Sequence, residues 1–467
     1  MTLYRFSINS RTPYEQGEPA REPVHAARSA PQPKPFSTAE SSRLRERMMD
    51  AKLRIHASII DEVNLATIEK LPTHELRPQV YDLVVKHVNN ERLVLNDAEL
   101  ELFVDDILNE MKGLGPIEML LKDDAINDIL INTHSQIYVE RGGILELSEA
   151  RFKDEAHLLR IINKIVSTVG RRVDESQPFC DARLLDGSRV NVAIKPIAID
   201  GPLVSIRKFS KRPYSMDKLV DTGSLSPAMA ALLSAAVVGR ATIMVSGGTG
   251  SGKTTMLNAL SSFIPPNERL ITIEDAAELQ LQQPHVGRLE TRPPSIEGKG
   301  EIRQRELVKN ALRMRPDRII IGECRGEEAF DMLQAMNTGH DGSMTTIHAN
   351  TTRDALMRLE QMVGMASFPM TTQSIRTQIA SAIRLVVQLS RLSDGKRRVV
   401  SIAEITGMEE DVIQMQEIFR FHRTATLEDG TIQGEYLPTG LRPKFLSSLA
   451  AGGINLPSSY FDPGRAH

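Results

Sequence analysis

The chain has 467 residues, too many for one ordinary core, so two or three domains are expected. Charged residues make up 25% and hydrophobic ones 41%, the balance of a globular protein, and a formal net charge of −3 excludes a global basic field that would recruit nucleic acid or acidic lipid. Two cysteines, Cys180 and Cys324, make no disulfide framework, tryptophan is absent, and no stretch approaches the roughly 18 apolar residues of a membrane span.

Residues 1–41, rich in Pro, Ala, Ser and charge, read as a disordered tail. From 42 to 112 apolar residues recur at helical spacing in three runs. Leu53, Ile59, Ile60, Val63 and Ile68 form the first, and Val80, Leu83, Val84 and Val88 the second. Leu100, Val104, Ile107, Leu108 and Met111 form the third, capped by Asn96 or Asp97. A three-helix bundle is expected. Residues 113–209 mix alternating strands around the Gly142–Gly143 turn with the amphipathic stretch 155–173, an α+β domain, and 210–226 reads as a connector. From 227 to 430 short β-branched runs (241–245, 270–274, 318–321, 344–348) alternate with helices, the mark of a parallel sheet and of an α/β core. Antiparallel strands are expected in "IRLVVQLSR" and "RRVVSIAEI", and 431–467 forms a C-terminal extension.

Directly after the first core strand runs "GGTGSGKTT": Gly247, Gly248, Thr249, Gly250, Ser251, Gly252, Lys253, Thr254 and Thr255. The pattern G-x-x-x-x-G-K-[ST] lets backbone N–H groups wrap phosphates at a helix N-terminus. The lysine neutralises β- and γ-phosphate charge, and the threonine hydroxyl can ligate Mg²⁺. ATP and Mg²⁺ are therefore the expected cofactors. Glu323, just past the run 318–321, is the candidate base for water, unless it merely opens the next helix. Glu274 and Asp275 end another strand. They either hold the Mg²⁺ shell through water, assist the attacking water, or cap the segment that follows. Two histidines, His340 and His348, flank the run "DGSMTTI" and read as ligands, bases or sensors. A zinc site with Cys324 lacks a fourth ligand at a standard spacing.

These pieces in this order resemble the type II/type IV secretion ATPases, specifically the CpaF/TadA-type motors of Tad (Flp) pili, over about residues 45–450. The matching segments are "GGTGSGKTT", "TIEDAAELQL", "RMRPDRIIIGECRGEEA" and "NTGHDGSMTTIHANT", with "GLGPIEMLL", "GRRVDESQPFCDARLLDGSRVNV" and "SIRKF" upstream. The resemblance implies a RecA-like P-loop core in a cytoplasmic homo-hexamer, peripheral at the inner membrane, that couples ATP hydrolysis to pilus assembly, to retraction or to both through inner-membrane platform proteins. Membrane contact then runs through partners, and no nucleic acid is expected. It also implies that Glu323 is the catalytic glutamate and that His340 and His348 sense the γ-phosphate. Arg183, Arg189 and Arg207 would close over the phosphates from the N-terminal domain, unless local acids such as Asp181 or Asp186 pair with one of them. The rival reading, a nucleic-acid translocase on the same core, predicts a basic channel or stacking aromatics, which composition disfavours.

Overall fold

The computed structural model describes residues 54–55, 72–90, 93, 95–209, 214–294, 299–366 and 369–464. The expected tail, the first helix of the bundle apart from Arg54 and Ile55, and residues 210–213 of the connector lie outside them. The described residues fall into two compact units that divide between Phe103 and Val104. In the first, the helix Thr73–Asn90 precedes the start of the helix Asp97–Met111. Asn96 caps that second helix: its Oδ1 accepts from the Glu99 N–H at 2.9 Å, and Glu99 returns a carboxylate to the Asn96 N–H at 2.9 Å.

The second unit carries two sheets. The smaller is antiparallel and six-stranded: β1 (Ile126–Thr133), β2 (Gln136–Arg141), β3 (Ile144–Leu147), β4 (Phe179–Arg183), β5 (Arg189–Ala193) and β6 (Leu203–Arg207), in the order β3-β2-β1-β6-β5-β4. Alternation sorts its faces. Val190, Val192, Val204 and Ile206 are buried in one core cluster with Leu158, Ile161, Ile162 and Ile165 of the helix Glu155–Thr168. The opposite face presents a row in register, Arg183 opposite Arg189, Arg189 opposite Arg207, and Arg207 opposite Asp128.

The larger sheet has nine strands: β7 (Ile243–Gly247), β8 (Leu270–Glu274), β9 (Val286–Glu290), β10 (Arg318–Ile321), β11 (Met344–Ile347), β12 (Leu385–Arg391), β13 (Arg397–Glu409), β14 (Val412–Thr426) and β15 (Ile432–Pro438). Their order is β15-β14-β13-β12-β7-β11-β10-β8-β9; β12 through β9 run parallel, and the strands from β12 to β15 are antiparallel. Helices cover both faces of the parallel part, which is why β7, β8, β10 and β11 are buried throughout. One core cluster takes Leu232 and Leu233 of the helix Pro227–Val238 together with Leu257 and Leu260 of the helix Lys253–Ser261. The other takes Leu333, Leu359 and Ile379 from three helices across the sheet.

The sheet continues to Pro438, beyond the sequence boundary at residue 430, and β9 and β15 had no sequence signal of their own. The C-terminal extension is part of the core rather than an appendage. Phe445, Leu449 and Phe461 are buried in the first cluster, and the fully buried Glu404 accepts from the N–H groups of Lys444 at 2.7 Å and Phe445 at 3.0 Å.

Candidate nucleotide site

Side chains at the carboxyl ends of neighbouring strands stand side by side, where open α/β sheets hold ligands. β7 leads into the glycine loop and Lys253, β11 into His348, β10 into Glu323, and β8 into Asp275. In the loop, Gly250 and Gly252 have φ of +68° and +96°, a left-handed backbone that only glycine adopts without strain. Gly252 caps the helix that begins at Lys253. The Lys253 ammonium is buried. It donates to the carbonyls of Gly247 at 3.1 Å and Gly248 at 3.0 Å and lies 3.1 Å from His348 Nε2. Burial lowers its pKa, with Arg325 and Arg207 adding to the effect and Glu323 opposing it.

Glu323 stands two residues beyond β10, tied in place as the Cys324 N–H donates to the Thr346 carbonyl at 2.9 Å. One carboxylate oxygen, Oε2, accepts from Arg325 Nε at 2.9 Å and Nη2 at 2.5 Å, and the other lies 2.5 Å from His348 Nε2. A single Nε2 therefore meets both an ammonium and a carboxylate. Protonated, it donates to Glu323; unprotonated, it accepts from Lys253. Burial pushes the His348 pKa below its ordinary 6.5, with Lys253, Arg325 and Arg358 in the same direction and Glu323 against it. The unprotonated ring, accepting from Lys253, is the neutral-pH form. An NMR titration of the full chain should place the His348 midpoint below 6.5. Because the unfolded histidine binds its proton first, stability is lost as pH falls from 6.5 through that midpoint.

Glu274 ends β8 in a buried position. It is 3% exposed, and its Oε1 accepts the N–H groups of Glu278 at 2.8 Å and Leu279 at 2.9 Å, so it holds the turn after β8. Burial raises its pKa against those two bonds. The turn delivers Glu278, whose Oε2 lies 3.5 Å from Thr254 Oγ1. Hydroxyl and carboxylate oxygens suit a hard divalent cation, so Thr254 and Glu278 are the residues that would hold Mg²⁺ beside phosphates in the glycine loop. Asp275 lies 3.5 Å from Arg325.

The arginine row faces this acidic turn. Arg183 donates to Glu290 at 2.9 Å and to the carbonyl of Ala277, and Arg189 donates to Glu278 at 2.7 Å. Their acids are thus in the larger sheet and its turn, not Asp181 or Asp186. Arg207 makes no ion pair among the described residues, yet it is close enough to Lys253 to depress its pKa.

His340 is at the other end of β11. It lies before Met344, its Nδ1 is 3.1 Å from the Ala335 carbonyl, and four strand residues, about 13 Å of extended chain, separate it from the edge that carries His348. The two histidines and Cys324 are not brought together, and no metal-holding cluster of three or more such side chains occurs among the described residues. Burial raises the Cys324 thiol well above its ordinary range, which leaves it inert.

Three further arginines stand at the site: Arg391 and Arg397 had no sequence signal beyond single charges at strand ends, and Arg325 lies in the matched segment "RMRPDRIIIGECRGEEA" with no role of its own read there. Arg325 clamps Glu323. Arg397 Nε donates to the Gly250 carbonyl at 2.8 Å, and Arg391 Nη2 to the Gly143 carbonyl at 2.5 Å.

The family described as Type II/IV secretion system protein matches residues 110–428. A Mycobacterium tuberculosis protein named for conjugal transfer is 34% identical over 342 residues, 72% of this chain and 96% of that protein. The type IV secretion system protein VirB11 of Bartonella quintana is 32% identical over 329 residues, covering 62% of this chain and 91% of its own. Among solved structures, the VirB11 ATPase of Brucella suis matches at 28% identity over 62% of this chain and 94% of that one, with a TM-score of 0.33. With its P-loop set between a buried strand and a helix N-terminus in an α/β core, the chain belongs to the Type II/IV secretion system protein family and is an ATP hydrolase.

Proposed function

We propose that the chain is the motor ATPase of a Tad (Flp) type IV pilus, acting as a homo-hexamer on the cytoplasmic side of the inner membrane. There it drives platform proteins that insert or extract pilin subunits. The observation that carries the reading is the arginine row. Three cations in register on one sheet meet the nucleotide core, two bonded to its acidic turn and one, Arg207, opposite Asp128 and within electrostatic reach of Lys253. Lys253 and the glycine-loop N–H groups bind the phosphates, Glu323 orients water, and Arg207 moves onto the phosphate charge as the six-stranded sheet closes. Thr254 and Glu278 hold the Mg²⁺ that neutralises that charge. Rigid-body closure of this kind converts nucleotide state into work on a partner. No helix among the described residues is long and apolar enough to cross a membrane. In this reading contact with the membrane runs through the platform.

A Lys253→Ala substitution in the chromosomal gene tests this. Surface pili should disappear while pilin remains at normal cellular levels. Wild-type piliation in that strain sinks the pilus reading without touching the ATPase.

A further inference from the structure

We propose that Arg397 is a positioning residue of the nucleotide site, and that with Arg391 it ties the glycine loop to the six-stranded sheet. Both arginines flank the turn of the β12–β13 hairpin, which is closed by Leu392 N–H to Lys396 O and Gly395 N–H to Leu392 O, each 2.9 Å. Nε–H of Arg397 donates to the Gly250 carbonyl at 2.8 Å, and its Cδ lies 3.5 Å from where a Cβ on Gly252 would stand. Its guanidinium therefore lies along the outside of the loop. A trans peptide is planar, with C=O and N–H on opposite sides. Fixing the Gly250 carbonyl outward turns the next N–H, that of Ser251, inward. There it makes a long bond of 3.4 Å to the Gly248 carbonyl that Lys253 also meets, on the side where phosphate oxygens would replace that weak partner. Without the guanidinium the Gly250–Ser251 peptide is free to flip, and one donor of the anion cradle is lost for part of the time.

The same guanidinium reaches the other sheet, with Nη2 3.7 Å from Glu140 Oε1 in β2. Arg391 makes the second tie, to the carbonyl of Gly143 in the β2–β3 turn. That turn residue has φ of +92°, and a Cβ on it would lie 3.0 Å from the Arg391 guanidinium, so the approach requires glycine. Two arginines of one hairpin thus grip the glycine loop and the β2–β3 hairpin together. A shift of the six-stranded sheet is then felt at the Gly250 peptide. The inference rests on ATP hydrolysis at this loop and is independent of the pilus reading.

The test is nucleotide affinity of the full-length protein, measured as KM for ATP and as Kd for a fluorescent N-methylanthraniloyl-ADP. Arg397→Ala should weaken both about 10-fold, with kcat within about 3-fold of wild type. Arg397→Lys keeps the charge but lacks the Nε–H fork and should stay near the alanine value. Unchanged affinity in Arg397→Ala, or full rescue by lysine, overturns the positioning role. Should the alanine variant fail to fold, the lysine variant decides alone. For the tie to the sheet, Glu140→Gln combined with Arg397→Ala should give a non-additive change in KM for ATP and in the Kd of the fluorescent ADP; strict additivity overturns that tie. Loss of pili with normal nucleotide affinity would bear on the pilus reading only.

Discussion

Glu323→Gln should lower kcat for ATP hydrolysis about 1,000-fold while nucleotide affinity changes less than about 3-fold. The amide keeps the shape of the side chain and one acceptor oxygen, but it cannot take a proton from water. The pattern separates a base from a binding residue: lost affinity with kept turnover would mean that Glu323 only holds the loop. The ion pair with Arg325 makes the substitution informative. Two bonds, at 2.5 and 2.9 Å, pin the carboxylate beside His348, so the wild-type geometry is set before substrate arrives. In the glutamine variant the guanidinium loses its charged partner and still has Asp275 at 3.5 Å, so folding should survive. Turnover at the wild-type rate would sink the assignment of Glu323 as base. It would also transfer the role to Glu278, the carboxylate beside Thr254.

Much of this site was legible because its signals combine local geometry with chemistry. The glycine loop announces itself, since G-x-x-x-x-G-K-[ST] makes sense only between a strand and a helix, and that is its setting. The buried parallel strands were legible as β-branched runs. β9 was not, because an edge strand with the burial pattern of Val286–Glu290 has no apolar run to read. Glu274 and Glu278 show the limit for acids: both lie in "TIEDAAELQL", and only the path of the turn decides which one meets Thr254. Arg391 and Arg397 look in sequence like solvated charges at a hairpin. Their function comes from a contact with residues some 250 and 150 positions away, which no local pattern encodes. The segment "NTGHDGSMTTIHANT" was legible in part: its run 344–348 reads as a strand, but that this strand carries His340 to one edge of the sheet and His348 to the other is visible only in the fold.

What the His340 end of that segment does leads to the second large effect. At the edge away from the glycine loop, Arg318 opens β10 with no exposed surface. It makes a two-pronged bond to Glu268, Nε to Oε2 at 2.6 Å and Nη2 to Oε1 at 3.0 Å, and its Nη1 donates to the Val237 carbonyl at 2.7 Å. Gly342, of the His340 segment, packs on it: a Cβ there would lie 2.7 Å from Nη1. Burial pushes the Glu268 carboxyl up, but the guanidinium groups of Arg318 and Arg240 outweigh it and hold it below its ordinary 4.5. Glu268→Leu leaves a buried guanidinium without its counter-charge and should cost about 3–5 kcal/mol of stability. The double variant Glu268→Leu/Arg318→Met removes both charges and should recover most of that loss, because a buried pair gains little net energy over apolar residues of similar volume. Both effects are read by urea unfolding. In protein that remains folded, kcat should stay within about 2-fold of wild type, since the pair sits at the opposite end of the strands from Glu323 and Lys253. If the double variant were as unstable as the single one, the hydrogen bonds from Arg318 to Val237 and Gly342, not the charge pair, would hold that edge of the sheet together.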